Sequence, residues 1–161
     1  MERVNRIASH ETYKSHLKKI AKWEEHRNFC KHDFIHFLDV CRIAWILSLE
    51  EDADLSKEAV YAAGLLHDIG RWSEYQSGTD HALESARLCV EILEDCGFDL
   101  EEIEIIKEAI ASHRIKDSGG RTLSNILYRA DKFSRRCYDC AVIGECKKFQ
   151  NGEKPYLEYC A

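Results

Sequence analysis

The sequence predicts an all-α fold, a single-domain bundle of about six main helices. Three observations carry that expectation. Apolar residues recur at helical spacing along most of the chain, and no segment alternates convincingly at the strand period. The 161 residues contain one proline, Pro155, so no proline interrupts a helix before the tail. Good capping residues precede several of the periodic segments.

The elements follow in order. The first helix is expected from about Ser9 to His26, with Tyr13, Leu17, Ile20 and Trp23 forming its apolar stripe and His10, His16 and His26 on its polar side. The second starts near Asp33, an N-cap or first-turn carboxylate, and runs to about Glu50; Phe34, Phe37, Leu38, Cys41, Trp45 and Leu49 make its buried side. Ser56 caps the third, which ends at Gly70, where a left-handed glycine would close it. Asp80 caps the fourth, which runs to Gly97. Asp99 and Glu102 form a D-x-x-E variant of the capping box that opens the fifth, and Gly119-Gly120 follow its end. The sixth spans about Thr122 to Cys137. The chain therefore divides into an N-terminal helix (1–28) belonging to the same domain, a core (29–136), and a cysteine-containing tail (137–161) with no assignable secondary structure.

A formal charge of −6 argues against non-specific binding to a nucleic-acid backbone, which needs a basic face. No apolar leader is visible at the start, and the longest apolar run, around Ile43 to Leu49, is too short to span a bilayer. A cytoplasmic, reducing setting is expected, so the eight cysteines read as thiols rather than disulfides. Cys41 and Cys89 sit at helical spacing among apolar residues, as core thiols do. Basic residues gather late in the chain at Arg114, Lys116, Arg121, Arg129, Lys132, Arg135 and Arg136.

The most informative residues are His67-Asp68, closing the apolar run that begins at Ala59. A His-Asp pair alone is weak evidence, since His32-Asp33 is a second one, explained by helix capping. The stronger signal is distribution. His36, His67, Asp68, His81, His113 and Asp131 lie on or at the edge of five different expected helices, and imidazoles with carboxylates suit Fe, Mn, Zn or Co. Interior faces of a bundle can converge to supply such a set.

This H…HD…D pattern resembles the HD-domain metal-dependent phosphohydrolase superfamily. The phrases Ala63-Gly-Leu-Leu-His-Asp-Ile-Gly70, Ala109-Ile-Ala-Ser-His113 and Arg129-Ala-Asp-Lys132 resemble the subgroup that adds two histidines and holds two metals, which includes small bacterial symmetrical diadenosine tetraphosphate hydrolases. The resemblance covers about residues 29–136. It implies two divalent ions, iron first, with manganese, cobalt, zinc or nickel as alternatives. Asp68 would bridge them, with His36, His67 and Asp131 on one ion and His81 and His113 on the other. A metal-activated hydroxide would then attack a small phosphorylated substrate, a nucleotide above all. Lys132 and Arg135 are candidates to bind phosphate, Arg71 is a third, and Asp39 is a candidate to orient a ligand histidine. Some HD-fold mixed-valent di-iron oxygenases resemble the same six-ligand set, and a metal-stabilised sensor or interaction domain is the non-enzymatic alternative. No Gly-Tyr-Pro follows the motif, against a cyclic-dinucleotide phosphodiesterase of the HD-GYP type.

Cys137-x2-Cys140-x5-Cys146 has spacing suggestive of a structural zinc or iron–sulfur site, with Cys30 or Cys160 as a fourth thiolate. Reduced, unliganded thiols are the equal alternative.

Overall fold

The computed structural model describes residues 1–115 and 120–155, so Lys116, Gly119 and Cys160 lie outside the described residues. Among the described residues there are eight α-helices and no strand: α1 (Glu2–Ser9), α2 (Glu11–Trp23), α3 (Phe34–Glu50), α4 (Lys57–Leu66), α5 (Arg71–Ser77), α6 (His81–Cys96), α7 (Leu100–Ser112) and α8 (Leu123–Phe133). Three single-turn 3-10 helices follow at Cys137–Asp139, Ile143–Glu145 and Lys147–Phe149. α3 packs on α4 and α8, α7 packs on α4, α6 and α8, α1 lies across α4 and α6, and α2 rests on α5. No helix among the described residues is long and apolar enough to cross a membrane.

The all-α architecture follows the sequence expectation, and the differences have local causes. The expected first helix is two. His10 adopts an extended conformation (φ −65°, ψ 132°), and its Nδ1 accepts from the Thr12 N–H, capping α2. α1 is held by Arg3, whose guanidinium meets Glu58 of α4 at 2.7 Å and Glu102 of α7 at 2.5 and 2.9 Å. Eight residues with only Val4 and Ile7 buried are too few to read as a separate helix, and distant carboxylates fix them. α5 likewise has no counterpart among the expected helices; Gly78, at φ 74°, closes it in the left-handed conformation.

Caps at Asp33 and Asp80 bond as expected, Thr122 also caps α8, and Asp99 with Glu102 completes its capping box. Ser56 occupies the cap position of α4, but its side chain makes no capping hydrogen bond. The buried face of α3 is rotated from the expected one: Phe37, Val40, Cys41, Ala44 and Leu47 are buried, while Phe34 and Leu49 are exposed. In a helix that is apolar on most sides, its neighbours select the face that is covered. Trp23 is likewise exposed, whereas Tyr13 and Ile20 of the same stripe are buried. Cys41 and Cys89 are fully buried core thiols, and burial pushes Cys89 up to about 12. α8 stops at Phe133, short of Cys137.

Gly70 is not left-handed (φ −85°, ψ 1°); it is required by close approach. A Cβ there would stand 2.7 Å from the Ser85 backbone nitrogen, and the Gly70 N–H already donates to Ser85 Oγ at 2.9 Å. Gly64, about a turn before His67, is needed for the same reason: a Cβ would meet Cys41 Sγ at 2.6 Å and Cys41 Cα at 3.0 Å. His16, expected at the surface, is buried: the Trp72 indole stacks on it and donates to its Nδ1 at 3.0 Å, joining α2 to α5.

Two outcomes are expected. Gly64→Ala and Gly70→Ala should each destabilise the fold by about 1–3 kcal/mol, because backbone or a tightly packed thiol must move; urea unfolding followed by circular dichroism measures this. Burial, with Lys19 nearby, lowers His16 to about 4 from an ordinary 6.5. Between those values the unfolded chain binds a proton that the folded chain does not. Stability should therefore fall as pH drops through this window, by up to about 1.4 kcal/mol per pH unit from this group. Thermal melts of His16→Gln, which keeps an acceptor for Trp72 but does not titrate, should show a shallower acid loss.

Candidate metal centre

Five helices or their ends deliver the six expected residues to one place. His36 lies in the first turn of α3, His67 and Asp68 in the tight turn after α4, His81 at the start of α6, His113 at the end of α7, and Asp131 in the last turn of α8. The turn after α4 is shaped by Gly70, which lets the chain pass against the backbone of α6.

Asp68 is the hub. Its Oδ1 lies 3.1 Å from His81 Nε2 and 3.5 Å from His113 Nε2, and its Oδ2 lies 3.4 Å from His67 Nε2. Asp131 Oδ1 stands 3.5 Å from His36 Nε2 and 4.0 Å from His67 Nε2. Two groups of possible metal donors result, His36–His67–Asp68 and Asp68–His81–His113, each with donor atoms within 4.8 Å of one another. Asp68 belongs to both.

The chain fixes the imidazoles from behind. His67 Nδ1 donates to the Gly64 carbonyl at 2.8 Å, and His113 Nδ1 donates to the Ile110 carbonyl at 2.6 Å. A carbonyl only accepts, so each Nδ1 carries the proton and the neutral ring turns an Nε2 lone pair inward. His81 Nδ1 is backed by the Glu74 carboxylate and faces Arg71 Nη1 at 2.7 Å. The expected partner of His36, Asp39, instead faces Arg42 at 3.5 Å; Ser134 Oγ lies 3.3 Å from His36 Nδ1.

His36 Nε2, His67 Nε2 and Asp68 Oδ1 are buried and make no hydrogen bond. Such atoms are costly to bury unless something completes them. Imidazole nitrogen and carboxylate oxygen are the donor set of divalent transition metals, and the residues present fit such ions. The charges agree. Burial alone would raise the Asp68 carboxyl, but His67, His113 and His81 hold it well below the carboxylate range. Asp131 is also depressed, by Arg135, His67 and Lys132 acting against burial. Burial and the neighbouring His67 push His36 down to about 4.

Lys132 Nζ and Arg135 Nη2 both reach Asp131 Oδ2, at 2.5 and 3.1 Å. Arg71 is engaged by Glu74 and Tyr75. Arg114 pairs with Asp80 and Arg129 with Glu51, so these two basic residues face other partners.

The structure also adds a histidine. Asp33 is the N-cap of α3, but His32 does more than precede it. Its Nε2 lies 3.6 Å from Asp68 Oδ2, and its Nδ1 is hydrogen-bonded to the buried Glu24 at 2.5 Å. Glu24 also accepts from the His32 backbone N–H at 2.8 Å and from Tyr75 OH at 2.6 Å. Burial would raise Glu24, and these bonds bring it down to about 2. The only signal in the sequence was the four-residue spacing from His32 to His36, obscured by the capping role of Asp33.

Comparison with known proteins gives a consistent family. A family model described as HD domain matches residues 33–136. An uncharacterized protein of Clostridium beijerinckii is 44% identical over 146 residues, 91% of this chain and 92% of its own. Ribonuclease Y of Enterococcus faecalis and of Listeria monocytogenes are each 27% identical over 130 residues, 80% of this chain. The chain spans only 23% of the length of those ribonucleases. A crystal structure of a predicted HD superfamily hydrolase from an uncultured Thermotogales bacterium superposes with a TM-score of 0.57 at 28% identity, covering 74% of this chain and 66% of that one.

Because both donor groups share Asp68, Asp68→Ala should abolish divalent-metal binding at this centre. His81→Ala and His113→Ala should each weaken chiefly the donor group to which they belong. Metal content after dialysis, measured by elemental analysis, checks this; an unchanged content in Asp68→Ala would exclude the shared role.

Proposed function

Because this chain belongs to the HD domain family, we propose that it is a metal-dependent phosphohydrolase acting on a nucleotide or another small phosphate ester or anhydride. The observation that carries this is the carboxylate of Asp68 standing between two groups of inward-facing imidazoles, a donor arrangement suited to two ions. Ions held there would supply Lewis acidity, lowering the pKa of a water and polarising a phosphoryl oxygen. Iron is the first choice, with manganese, cobalt, zinc or nickel able to use the same donors.

The chain's own residues define the rest. His36, His67 and Asp131 serve one side of Asp68, and His81 and His113 serve the other. Lys132 and Arg135 neutralise Asp131 Oδ2 and can share their charge with a phosphate arriving beside it. His36, Ser134 and Arg135 also line an open cleft with Lys31, Asp39 and Arg136, giving an anionic substrate a route to the centre. An open cleft supports an enzyme over a purely structural metal domain. His32, braced by Glu24, faces the same carboxylate from the α2 side.

Two likenesses support the reading: the predicted hydrolase of known structure supports hydrolysis, and ribonuclease Y, whose name describes cleavage of RNA, supports a phosphate-bond substrate. A dinucleoside polyphosphate such as diadenosine tetraphosphate is the proposed finer substrate class, resting on the motif phrases around His67, His113 and Asp131.

The test is an anaerobic nucleotide screen with Fe²⁺ or Mn²⁺ and phosphate release as the readout. Lys132→Ala and Arg135→Ala should lower kcat/KM about 10–100-fold, the scale of one charged hydrogen bond, while keeping metal. Product formed only when O₂ is admitted with an organic substrate, and no phosphate release from any nucleotide, would instead identify an oxygenase.

A further inference from the structure

Outside the His–Asp centre, the second concentration of metal-ligating side chains is sulfur. Cys30 precedes α3, whereas Cys137, Cys140 and Cys146 lie in the 3-10 turns after α8, more than a hundred residues away in sequence. The fold nevertheless brings them together. Cys30 and Cys140 line the same cleft, and Cys30 and Cys146 lie within electrostatic reach of Cys137. The turns present the tail cysteines in succession: the Ile143 N–H donates to the Cys140 carbonyl at 3.3 Å, and the Cys146 N–H to the Ile143 carbonyl at 3.1 Å. Cys30 is placed by Arg27, whose Nε donates to its carbonyl at 2.8 Å. None of the four forms a disulfide, and none is sequestered in the core as Cys41, Cys89 and Cys96 are.

We propose that Cys30, Cys137, Cys140 and Cys146 together bind an iron–sulfur cluster that pins the tail to the start of α3. Two features select this occupant. A mononuclear zinc, with Zn–S near 2.3 Å in a tetrahedron, draws its sulfurs to about 4 Å from one another. Among the described residues, no three of these sulfurs lie within 4.8 Å of one another. A cluster takes one thiolate on each of several irons, so its cysteines stand farther apart. Two cations also act on the Cys137 sulfur. Partial burial pushes the Cys137 thiol up, as do the adjacent thiols, but Lys148 and Arg135 act in the opposite direction. Those cations would stabilise the thiolates of an anionic cluster. Cys30 and Cys140 share their cleft with His36 and Arg135, so the cluster would fix one wall of the route to the His–Asp centre.

The experiment uses the full chain purified anaerobically, with iron, zinc and acid-labile sulfide quantified alongside the visible spectrum. The His–Asp centre contains no sulfide, so the two sites are separable. Sulfide and visible absorption should be present in the native protein and in Asp68→Ala, and lost in Cys140→Ser and Cys30→Ser. Should those variants fail to fold, the native protein suffices: the four thiols should resist a thiol reagent until air or ferricyanide bleaches the cluster, then react. Absence of sulfide from the native protein, with these thiols freely reactive from the outset, would overturn the site. Zinc in place of iron and sulfide would overturn the cluster.

Discussion

A buried carboxylate with incompletely satisfied oxygens is the constraint on which this structure depends. Asp68 is almost fully enclosed, and an ionised carboxylate in such a place is tolerated only with compensating charge or strong donors. Imidazoles from α4, α6 and α7 face it directly, and His32 faces it from the segment before α3. Each comes from a different stretch of the chain, so the helices must be held in register for the site to exist. The protein's own share of the site remains underfilled, with His36 Nε2, His67 Nε2 and Asp68 Oδ1 lacking hydrogen bonds. That is the physical reason the centre reads as a place for cations rather than as a self-contained hydrogen-bond network.

The register is set by close packing away from the donors. Gly64 lets α4 approach α3 at Cys41, and Gly70 lets the turn carrying His67 and Asp68 lie against the backbone of α6. Between these two glycines the chain has little freedom, and the carbonyl of Gly64 itself fixes the His67 ring. Packing, backbone hydrogen bonding and donor orientation thus coincide within one short segment. The bracing farther out is polar: Glu24 ties His32 to Tyr75, while Glu74 and Arg71 stand behind His81. A substrate reaching the centre would meet this ordered shell on one side and the cleft at Ser134 and Arg135 on the other.

The chemical outline of the site was legible because its residues carry strong local signals. His67-Asp68 ends an apolar helix, His36, His81 and His113 sit at recognisable helix termini, and Asp131 lies within the last expected helix. What was not legible was the support. Asp39 is one turn from His36, a natural partner on sequence spacing, but its side chain faces Arg42 and Ser134 stands beside the ring instead. Beyond its spacing from His36, nothing in the sequence gives His32 a role at the centre, because capping by Asp33 already explains the dipeptide. Helix capping is a local interaction and can be read locally, whereas the approach of His32 to Asp68 depends on where α2 places Glu24.

The sequence by itself determined the helical class, most caps and the identities of the residues that converge, because periodicity, capping chemistry and donor type are properties of short segments. It did not determine α1, the break at His10, the burial of His16 or which face of α3 is covered. Those depend on partners distant in sequence: Glu58 and Glu102 for Arg3, Trp72 for His16, and α4 and α8 for α3. Tertiary structure alone decided that Gly70 serves close approach rather than a left-handed turn, and that Cys30 and Cys140 line one cleft. A local pattern can specify what a residue is able to bind, but only the packing of separate helices decides what is brought within reach.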